Sequence, residues 1–329
     1  MSTIINYVTR KRLAQYHSIE GVFQSVQKVL EKDHLCMWTE LKHSGASPLV
    51  LLKNIVTLRR RENTVYHITG DVHYMAIALR SKAVLTIHDV GSAFKGAVLK
   101  RFYIRLFWFW LPAVFVKHIT VISEFTKVEL AAIIPFAKHK IRVIPNPVSA
   151  VFIPTPYRFN NPCPELLCFG TKPNKNLERV IEAVAEIPCT LHIIGILSDA
   201  QLALLQAYQI NYTHSVNLSQ IAIVAAYQTC DLLCFPSTYE GFGMPIIEAQ
   251  ATGRPVLTSN DGAMKDVAGD AACLVDPFDT DALRTGLERI MGDDSYRAQL
   301  IAAGFENVQR FTQERIAAQY ADLYHDMTL

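Results

Sequence analysis

Short apolar runs alternate with helix-length amphipathic segments along almost the whole chain of 329 residues. Apolar runs of this kind are typical of strands that are covered on both faces, and helical crossovers connect parallel strands. The pattern therefore predicts an α/β chain with doubly wound parallel sheets. The predicted strands are Ile4–Val8, Val65–Ile68, Ala83–Ile87, His118–Ile122 and Ile141–Ile144 in the first half, and Glu165–Phe169, Leu191–Ile194, Leu232–Phe235 and Pro255–Thr258 in the second.

One segment interrupts this rhythm. Residues 145–164 contain six prolines, few charges and little periodicity, which indicates a domain linker. The length of the chain also favours two domains. We therefore expect an N-terminal domain over residues 1–150 and a C-terminal domain over residues 151–310. A closing helix within residues 311–329 is expected to pack back on the first domain.

The net charge of +2 conceals an asymmetry between the two halves. Residues 1–150 contain 21 Lys and Arg against 9 Asp and Glu, whereas residues 151–329 contain 11 against 21. A basic first domain beside an acidic second domain indicates different partners for the two. Either this is ordinary drift in composition, or the first domain meets anionic lipid head groups or a phosphorylated acceptor.

The seven cysteines are scattered without a C-x-x-C pair, which fits a reducing, cytoplasmic setting. We expect no signal peptide, since the N-terminus lacks a long apolar core followed by a cleavage site. The longest apolar run, residues 102–116, contains Arg105 and Pro112 and is too short to span a bilayer.

The segment Tyr239–Gly253, YEGFGMPIIEAQATG, places Glu240 and Glu248 eight positions apart around a turn that opens a short helix. Pro245 suits a first helical position, and the two glycines of the turn let the backbone approach a ligand closely. Free N–H groups at the start of a helix bind phosphate. The pattern predicts an anion site flanked by two carboxylates, which suits a sugar attached to a nucleotide diphosphate.

This segment resembles the paired-glutamate motif of the retaining, family 4 nucleotide-sugar glycosyltransferases (glycosyltransferase group 1), and residues 253–279 are similar to that family too. The resemblance implies the GT-B fold, in which two Rossmann-like domains face each other across a cleft. It implies that Glu240 contacts hydroxyls of the donor sugar and that Glu248 holds the ribose of the nucleotide. The backbone between these acids would face the sugar and the pyrophosphate, at Gly241, Phe242, Gly243 and Met244.

A second turn, Phe169–Ala183 (FGTKPNKNLERVIEA), follows the first predicted strand of the second domain. A lysine before a helix is usually just solvated, but a cation there can neutralise a diphosphate leaving group. The family resemblance implies that Lys175 grips the phosphates and takes part in catalysis. The usual arginine of the family is missing, because Asn174 precedes the lysine in a turn that is one residue shorter. The other donor-side candidates of the turn are Gly170, Thr171 and Lys172, and Lys172 is the candidate substitute for the arginine.

Two predicted strands of the first domain end in polar residues. The segment LTIHDV puts His88 and Asp89 at such an end, where cleft residues lie in parallel sheets. The resemblance implies that His88 reaches the donor sugar near the reacting carbon, although a lone histidine there is more often structural. The segment VYHITGDVHY ends similarly in Asp71, with His73 following. Asp71, His73 and Asp89 are acceptor-side candidates that either line the acceptor pocket or turn the chain.

The loop after the first strand, Thr9–Gly21, departs from the family pattern, because it has no glycine-rich turn before its helix. Arg10 and its basic neighbours suit a phosphorylated acceptor, and Ser18 is a candidate N-cap on the same acceptor side. A solvated loop is the alternative. The segment Lys95–Lys117 mixes basic with aromatic residues, and such a helix either lies in a membrane interface or packs beneath the cleft.

The sequence Asp279-Thr280-Asp281 spells the D-x-D pattern of metal-dependent glycosyltransferases, but a helix follows it, and helix capping explains it better. We expect neither a metal nor a cofactor, since GT-B enzymes generally use lysine and helix dipoles instead.

With the resemblance, these motifs predict a retaining glycosyltransferase. It would move a mannose- or glucose-type hexose from a GDP- or UDP-linked sugar to a saccharide or lipid-linked acceptor in cell-surface polysaccharide synthesis. We expect a cytoplasmic protein with peripheral contact to the anionic inner face of the plasma membrane and no nucleic-acid partner. Two alternatives stay open, namely a nucleotide-sugar 2-epimerase and a non-catalytic subunit that binds a nucleotide sugar and assists a partner.

Overall fold

The computed structural model describes residues 4–11, 18–156 and 158–328, without the side chains of Ser18 and Ile19. Contacts divide the chain into two units, of which the first runs to Pro147 and resumes at Gln313, and the second spans Val148–Thr312. Each unit is built on its own six-stranded parallel sheet. The described part of residues 144–164, where the six prolines fall, forms no helix or strand.

The strands of the first unit are β1 Ile4–Thr9, β2 Leu35–Glu40, β3 Thr64–Ile68, β4 Ala83–Ile87, β5 His118–Val121 and β6 Ile141–Val143. Their order in the sheet is β2-β1-β3-β4-β5-β6, and every pairing is parallel. Every residue of the central strands β3 and β4 is buried, as expected for strands that helices cover on both faces.

The helices that flank this sheet are α1 Ser18–Leu30, α2 Pro48–Thr57, α3 Ala76–Leu79, α4 Val98–Ile104, α5 Leu111–Phe115 and α6 Glu124–Ile133. A π-helical segment, Arg105–Trp110, joins α4 to α5 in one continuous helical stretch. At the start of α6, the N-cap Ser123 accepts a hydrogen bond from the Thr126 amide.

The strands of the second unit are β7 Glu165–Phe169, β8 Thr190–Ile194, β9 Asn211–Ser215, β10 Leu232–Phe235, β11 Val256–Ser259 and β12 Cys273–Val275. They form a parallel sheet in the order β12-β11-β10-β7-β8-β9. The helices are α7 Leu177–Ala183, α8 Asp199–Ala207, α9 Gln220–Thr229, α10 Met244–Ala251, α11 Gly262–Ala268, α12 Thr280–Gly292 and α13 Asp294–Val308.

The last helix, α14 Gln313–Asp326, belongs to the first unit. It packs on α1, where the rings of Phe23 and Tyr320 lie 5.7 Å apart. The buried His67 of β3 shares a hydrogen bond with the Tyr324 hydroxyl at 2.6 Å. Burial lowers the pKa of this histidine to about 3, so the ring is neutral and this contact is part of the core.

Strand order reverses once in each sheet. In the second unit the chain runs from β7 outward through β8 and β9, then returns to place β10 on the other side of β7. The corresponding reversal in the first unit lies between β1 and β3. The prediction of doubly wound parallel sheets is therefore confirmed, and the carboxyl ends of β7 and β10 mark the place where ligands bind in such folds.

Candidate active site

Two loops meet at the reversal point of the second unit. The loop after β7 carries Gly170 and a short 3₁₀ turn, Pro173–Lys175, and the loop after β10 carries Glu240 five positions beyond Phe235. Parallel neighbouring strands bring both loops to the same edge of the sheet. The two turns that the sequence singled out separately are thus parts of one site.

The centre of this site is an ion pair between Lys175 and Glu240. The Lys175 Nζ atom lies 2.6 Å from Glu240 Oε1, and the two side chains are 19% and 18% exposed. The same ammonium lies 4.7 Å from the centre of the Phe235 ring, a cation–π contact. Both charged groups are therefore held in place while a small part of each stays open to a ligand.

Gly170 makes room for the lysine. Its φ is +91°, and a Cβ at this position would lie 2.9 Å from two carbon atoms of the Lys175 side chain. The lysine stem passes directly over the end of β7, so a residue without a side chain is required there. Thr171, the next residue, donates its hydroxyl hydrogen bond to the Ile196 carbonyl at 2.6 Å and ties this loop to the one after β8.

Asn174 stands where the family pattern has an arginine, and it joins the two loops. Its side-chain amide donates to the Tyr239 carbonyl at 2.9 Å and to Glu240 Oε1 at 3.2 Å. Its carbonyl accepts a hydrogen bond from the Thr238 amide at 2.8 Å. Lys172, the candidate substitute for the arginine, is exposed and makes no ion pair with another described residue.

A second asparagine, Asn176, fixes the start of α7. It is buried with φ +62°, and its side-chain amide donates to the carbonyls of Pro236 and Pro277 at 3.1 and 2.6 Å. Asparagine tolerates this left-handed conformation better than most residues. The residue therefore holds the end of β10 and the segment before α12 against the lysine turn.

The helix α10 begins at this site without a side-chain cap from the described residues. Its N-cap is Gly243, with φ +116°, and Pro245 occupies the second helical position. Pro245 has no N–H and the Ile246 amide donates to the Gly243 carbonyl at 3.0 Å, so the amides of Gly243 and Met244 are the ones that this helix start can offer to an anion. The side chain of Phe242 is buried against the ring of Phe311, so this residue can offer a ligand its backbone and not its ring.

Glu248 lies one turn further along α10 and pairs with a tyrosine that the sequence did not indicate. The Tyr227 hydroxyl donates to Glu248 Oε2 at 2.8 Å, and the Tyr227 ring stacks on Phe169 with 6.1 Å between centres. Burial raises the pKa of the Glu248 carboxyl to about 7, against the opposing effect of the hydrogen bond from Tyr227. The carboxyl group therefore changes its charge near neutral pH.

The predicted residues of the first unit lie at the carboxyl edge of its sheet. His88 is half-buried after β4, and its Nε2 donates to the Thr69 carbonyl at 3.2 Å, which leaves Nδ1 as an acceptor. Burial lowers the pKa of this imidazole to about 4, so the ring is neutral at neutral pH. The exposed Asp89 accepts a hydrogen bond from the Gly91 amide at 2.9 Å and thereby turns the chain.

Asp71 and His73 both bind Trp108. The Asp71 carboxylate accepts a hydrogen bond from the indole Nε1, and His73 Nδ1 donates to the Trp108 carbonyl at 2.8 Å. His73 is buried and its pKa is lowered by burial, whereas Asp71 is exposed. The structure thus gives His73 a packing role, while Asp71 keeps an exposed surface.

Arg10 contacts a buried carboxylate that sequence reasoning missed. Its Nε lies 3.5 Å from Glu20 Oε1, and the Glu20 side chain is 6% exposed. The side chain of Ser18 lies outside the described residues, as does the loop before it. The residues missed by the sequence analysis are thus Glu20 and Tyr227, whose surroundings come from distant segments; no local motif could have indicated them.

The D-x-D sequence caps a helix, as predicted. The Asp279 carboxylate accepts hydrogen bonds from the amides of Asp281 and Ala282 at the start of α12. Across the described residues, no three His, Cys, Asp or Glu side chains come together in a way that would hold a metal ion. In the same part of the chain, no helix is both long and apolar enough to cross a bilayer.

Two family models match the chain. Residues 166–307 match the model described as "Glycosyl transferases group 1", and residues 38–151 match "Glycosyltransferase Family 4". The first match contains the Lys175–Glu240 pair and Glu248, and the second contains His88.

Curated relatives are similar over shorter stretches. The chain is 37% identical over 98 residues to the O-antigen chain mannosyltransferase B of Escherichia coli, which is 30% of this chain and 26% of that protein. It is 35% identical over 114 residues to the MMP alpha-(1->4)-mannosyltransferase of Mycolicibacterium hassiacum, which is 33% of this chain and 28% of that protein. The matched stretch spans about a quarter of the length of these relatives.

Solved structures are similar over nearly the whole chain. A glycosyltransferase from Rickettsia africae superposes with a TM-score of 0.75 at 18% identity, covering 99% of both chains. Anabaena HepE, solved in complex with UDP and glucose, superposes with a TM-score of 0.74 at 15% identity, covering 98% of this chain and 100% of that one. The likeness shows that the fold is GT-B. The two family models, which together match more than half of the chain, show that the chain belongs to the family 4, group 1 glycosyltransferases.

Proposed function

We propose that this protein transfers a hexose from a nucleotide diphosphate sugar to a saccharide or lipid-linked acceptor. The observation that carries the proposal is the Lys175–Glu240 pair at the reversal point of the second sheet, beside the uncapped start of α10. A cation and helix amides suit a diphosphate, and a partly exposed carboxylate suits sugar hydroxyls. Both kinds of group lie at one edge of the sheet, which supports the proposal.

The donor is held by three groups in this proposal. Lys175 and the amides at the start of α10 bind the diphosphate, Glu240 accepts hydrogen bonds from hydroxyls of the sugar, and Glu248 accepts them from the ribose. Because Lys175 and Glu240 are in contact before the donor arrives, their side chains are already oriented. Tyr227 orients Glu248 in the same way.

The reaction then depends on stabilising the leaving group. The bond between the anomeric carbon and the phosphate oxygen breaks, and the diphosphate takes the electron pair next to the Lys175 ammonium and the helix amides. The acceptor oxygen forms the new bond on the same face of the sugar, and its proton passes to the departing phosphate oxygen. This route retains the anomeric configuration, and lysine supplies the positive charge that a metal ion supplies elsewhere. His88, which is neutral, is the proposed hydrogen-bonding contact of the transferred sugar in the first unit.

The sugar and the setting are proposed from the relatives. The chain is similar to two proteins named as mannosyltransferases, one of them for the O-antigen chain, and resembles in fold a protein solved with UDP and glucose. A mannose- or glucose-type hexose on GDP or UDP, used for cell-surface polysaccharide in the cytoplasm, agrees with both. Peripheral contact with an anionic membrane would bring a lipid-linked acceptor to the protein.

The test begins with a donor panel. Thermal shifts are measured with GDP-, UDP-, ADP- and dTDP-linked sugars, and the best binder is then offered to candidate acceptors with product and anomer analysis. Lys175→Met and Glu240→Gln should each lower kcat by about 10²–10³-fold, the usual loss when one charge-stabilising group is removed. Lys265→Met is the matched control, since Lys265 is an exposed lysine on α11 of the same unit.

The outcomes separate the proposal from its alternatives. Full activity in Lys175→Met would overturn it. A donor that is isomerised without an acceptor would identify a 2-epimerase. Tight donor binding without turnover would identify a non-catalytic subunit, an alternative that the replacement of the family arginine by Asn174 keeps open. A loss of donor affinity in Lys172→Met would show that this exposed lysine replaces the arginine.

A further inference from the structure

The outer face of α2 exposes apolar side chains to solvent. Leu49, Leu52 and Val56 are all exposed, at spacings of three and four residues that place them on one side of the helix. The opposite side carries Leu51 and Asn54, which are buried. Both faces of the helix thus carry apolar residues, but only the inner face is buried.

The outer face of α4 has the same character. Val98 and Leu99 are 73% and 80% exposed, and Phe102, one turn further on, is exposed as well. None of the residues of α4 is buried. Phe94, just before the helix, is also exposed and lies under the Arg105 guanidinium, 5.5 Å from ring to cation.

A hydrogen bond joins α4 to the loop that precedes α2. The hydroxyl of Tyr103, on α4, donates to the carbonyl of Ala46 at 2.7 Å, two residues before α2. This bond brings the start of α2 close to α4, and both helices carry exposed apolar residues. We call the set the two-helix patch, and its members are Leu49, Leu52, Val56, Val98, Leu99 and Phe102.

Within the two segments that carry the patch, every Lys, Arg, Asp or Glu is a Lys or an Arg. Residues 41–61 and residues 90–123 contain five Lys and Arg each and not one Asp or Glu. The exposed cations beside the patch are Lys53, Arg59, Arg60, Arg61, Lys95 and Lys100. The exposed Val128 on α6 has a different setting, since it lies between Glu124 and Glu129 in the sequence.

We propose that the two-helix patch docks the protein on an anionic lipid membrane. Apolar side chains on a helix rimmed by Lys and Arg lie in the boundary between head groups and acyl chains, and the cations bind lipid phosphates. Helices of this kind lie on the surface of a bilayer. The inference deepens the proposed function, because it gives the surface on which a lipid-linked acceptor would be met.

The structure also divides the basic aromatic segment Lys95–Lys117. Its first part, through Phe102, supplies half of the patch, whereas Trp108, Phe109 and Ala113 are buried in the core. The membrane hypothesis for this segment thus applies to its N-terminal part, and the packing hypothesis applies to its C-terminal part. The helix α2 supplies the rest of the proposed membrane surface.

The test uses the whole chain with vesicles of equimolar phosphatidylglycerol and phosphatidylcholine, or of phosphatidylcholine alone, and measures the co-sedimenting fraction. We expect binding to the anionic vesicles, weakening with added salt, and little binding to the neutral ones. Val56→Glu and Leu99→Glu should each weaken binding about fivefold or more, because one charge near an anionic surface is already worth about that factor. Val128→Glu is the matched control, since Val56 and Val128 are both 69% exposed on helices of the same unit.

Three results would overturn the proposal. These are the absence of binding to anionic vesicles, equal binding to both kinds, and an equal loss in Val128→Glu. Sedimentation velocity without lipid tests whether a second copy of the chain occupies the patch instead. If the wild type is a dimer and Val56→Glu dissociates it, the patch is a dimer interface. Vesicle binding needs no nucleotide sugar, so its failure and a failure of the transferase proposal are distinguishable.

Discussion

Replacing Glu248 with glutamine should change how the stability of the protein depends on pH. In the folded protein the pKa of this carboxyl is raised from its ordinary value of 4.5 to about 7, chiefly by burial. A raised pKa means that the folded state binds the proton more tightly than the unfolded chain does. The contribution to stability is therefore fully present below pH 4.5 and is lost as the pH rises through 7.

The size of the effect follows from the difference between these two values. At about 1.4 kcal/mol per pH unit, the full difference corresponds to an upper limit of roughly 3 kcal/mol. Glu248 is half-buried, so solvent screens part of this cost, and we expect about 1–3 kcal/mol. Glutamine has no charge to lose, and its carbonyl can still accept the hydrogen bond from Tyr227.

The assay is urea unfolding of the wild type and of Glu248→Gln at about pH 5 and about pH 8, values that bracket the titration. As the pH rises from the lower to the higher of these values, the free energy of unfolding of the wild type should fall relative to that of the variant. Glu165→Gln is the control, since Glu165 is a half-buried carboxylate of the same unit outside the site. Parallel pH profiles for wild type and Glu248→Gln would refute the reasoning.

Under the proposed function, the same titration should also affect donor binding. If Glu248 accepts hydrogen bonds from a ribose, the ionised form binds better, and the affinity of the wild type for the nucleotide sugar should rise as the pH increases through 7 and level off above it. Calorimetric titration across this range measures the rise. A rise in affinity of the same size in Glu248→Gln would show that this carboxyl does not cause the pH dependence of donor binding.

Three further substitutions test the local arrangement. Tyr227→Phe removes the hydrogen bond to Glu248, so the pKa of the carboxyl should rise further, and the midpoint of pH-dependent donor binding should move upward in calorimetry. Gly170→Ala places a Cβ against the Lys175 stem at a φ of +91°, and urea unfolding should show a loss of about 1–3 kcal/mol together with weaker donor binding. Asp279→Ala removes the cap of α12 and should cost about 1 kcal/mol in the same assay, without altering donor affinity.

The sequence predicted the buried strands and missed strands at the sheet edges. Strand β4 is buried throughout and reads as a continuous apolar run. Strand β9, by contrast, is NYTHS with four exposed residues, and β2 has no buried residue. An edge strand needs one paired neighbour and little burial, so hydrophobic periodicity does not reveal it.

The two turns that meet at the candidate site could be singled out from the sequence because each of them is local. Glu240 and Lys175 each belong to a short turn whose glycines, proline and charges are visible in the sequence, and the parallel sheet brings the two turns together. Tyr227 could not be predicted in the same way. It reaches Glu248 from the end of α9, and nothing in the sequence around it distinguishes it from a core tyrosine.

The replacement of the family arginine by Asn174 has an electrostatic consequence. The Asn174 side chain donates a neutral hydrogen bond to the same Glu240 oxygen that Lys175 approaches, so Glu240 keeps two donors while the turn loses a positive charge. A diphosphate that binds here must draw Lys175 partly away from Glu240. Asn174 then leaves that carboxylate with a hydrogen bond when the lysine moves, which lowers the cost of sharing the ammonium with the phosphates. Under the proposed function, Lys175 would alone supply the charge stabilisation that the family resemblance divides between two residues, which makes its substitution the most informative at this site.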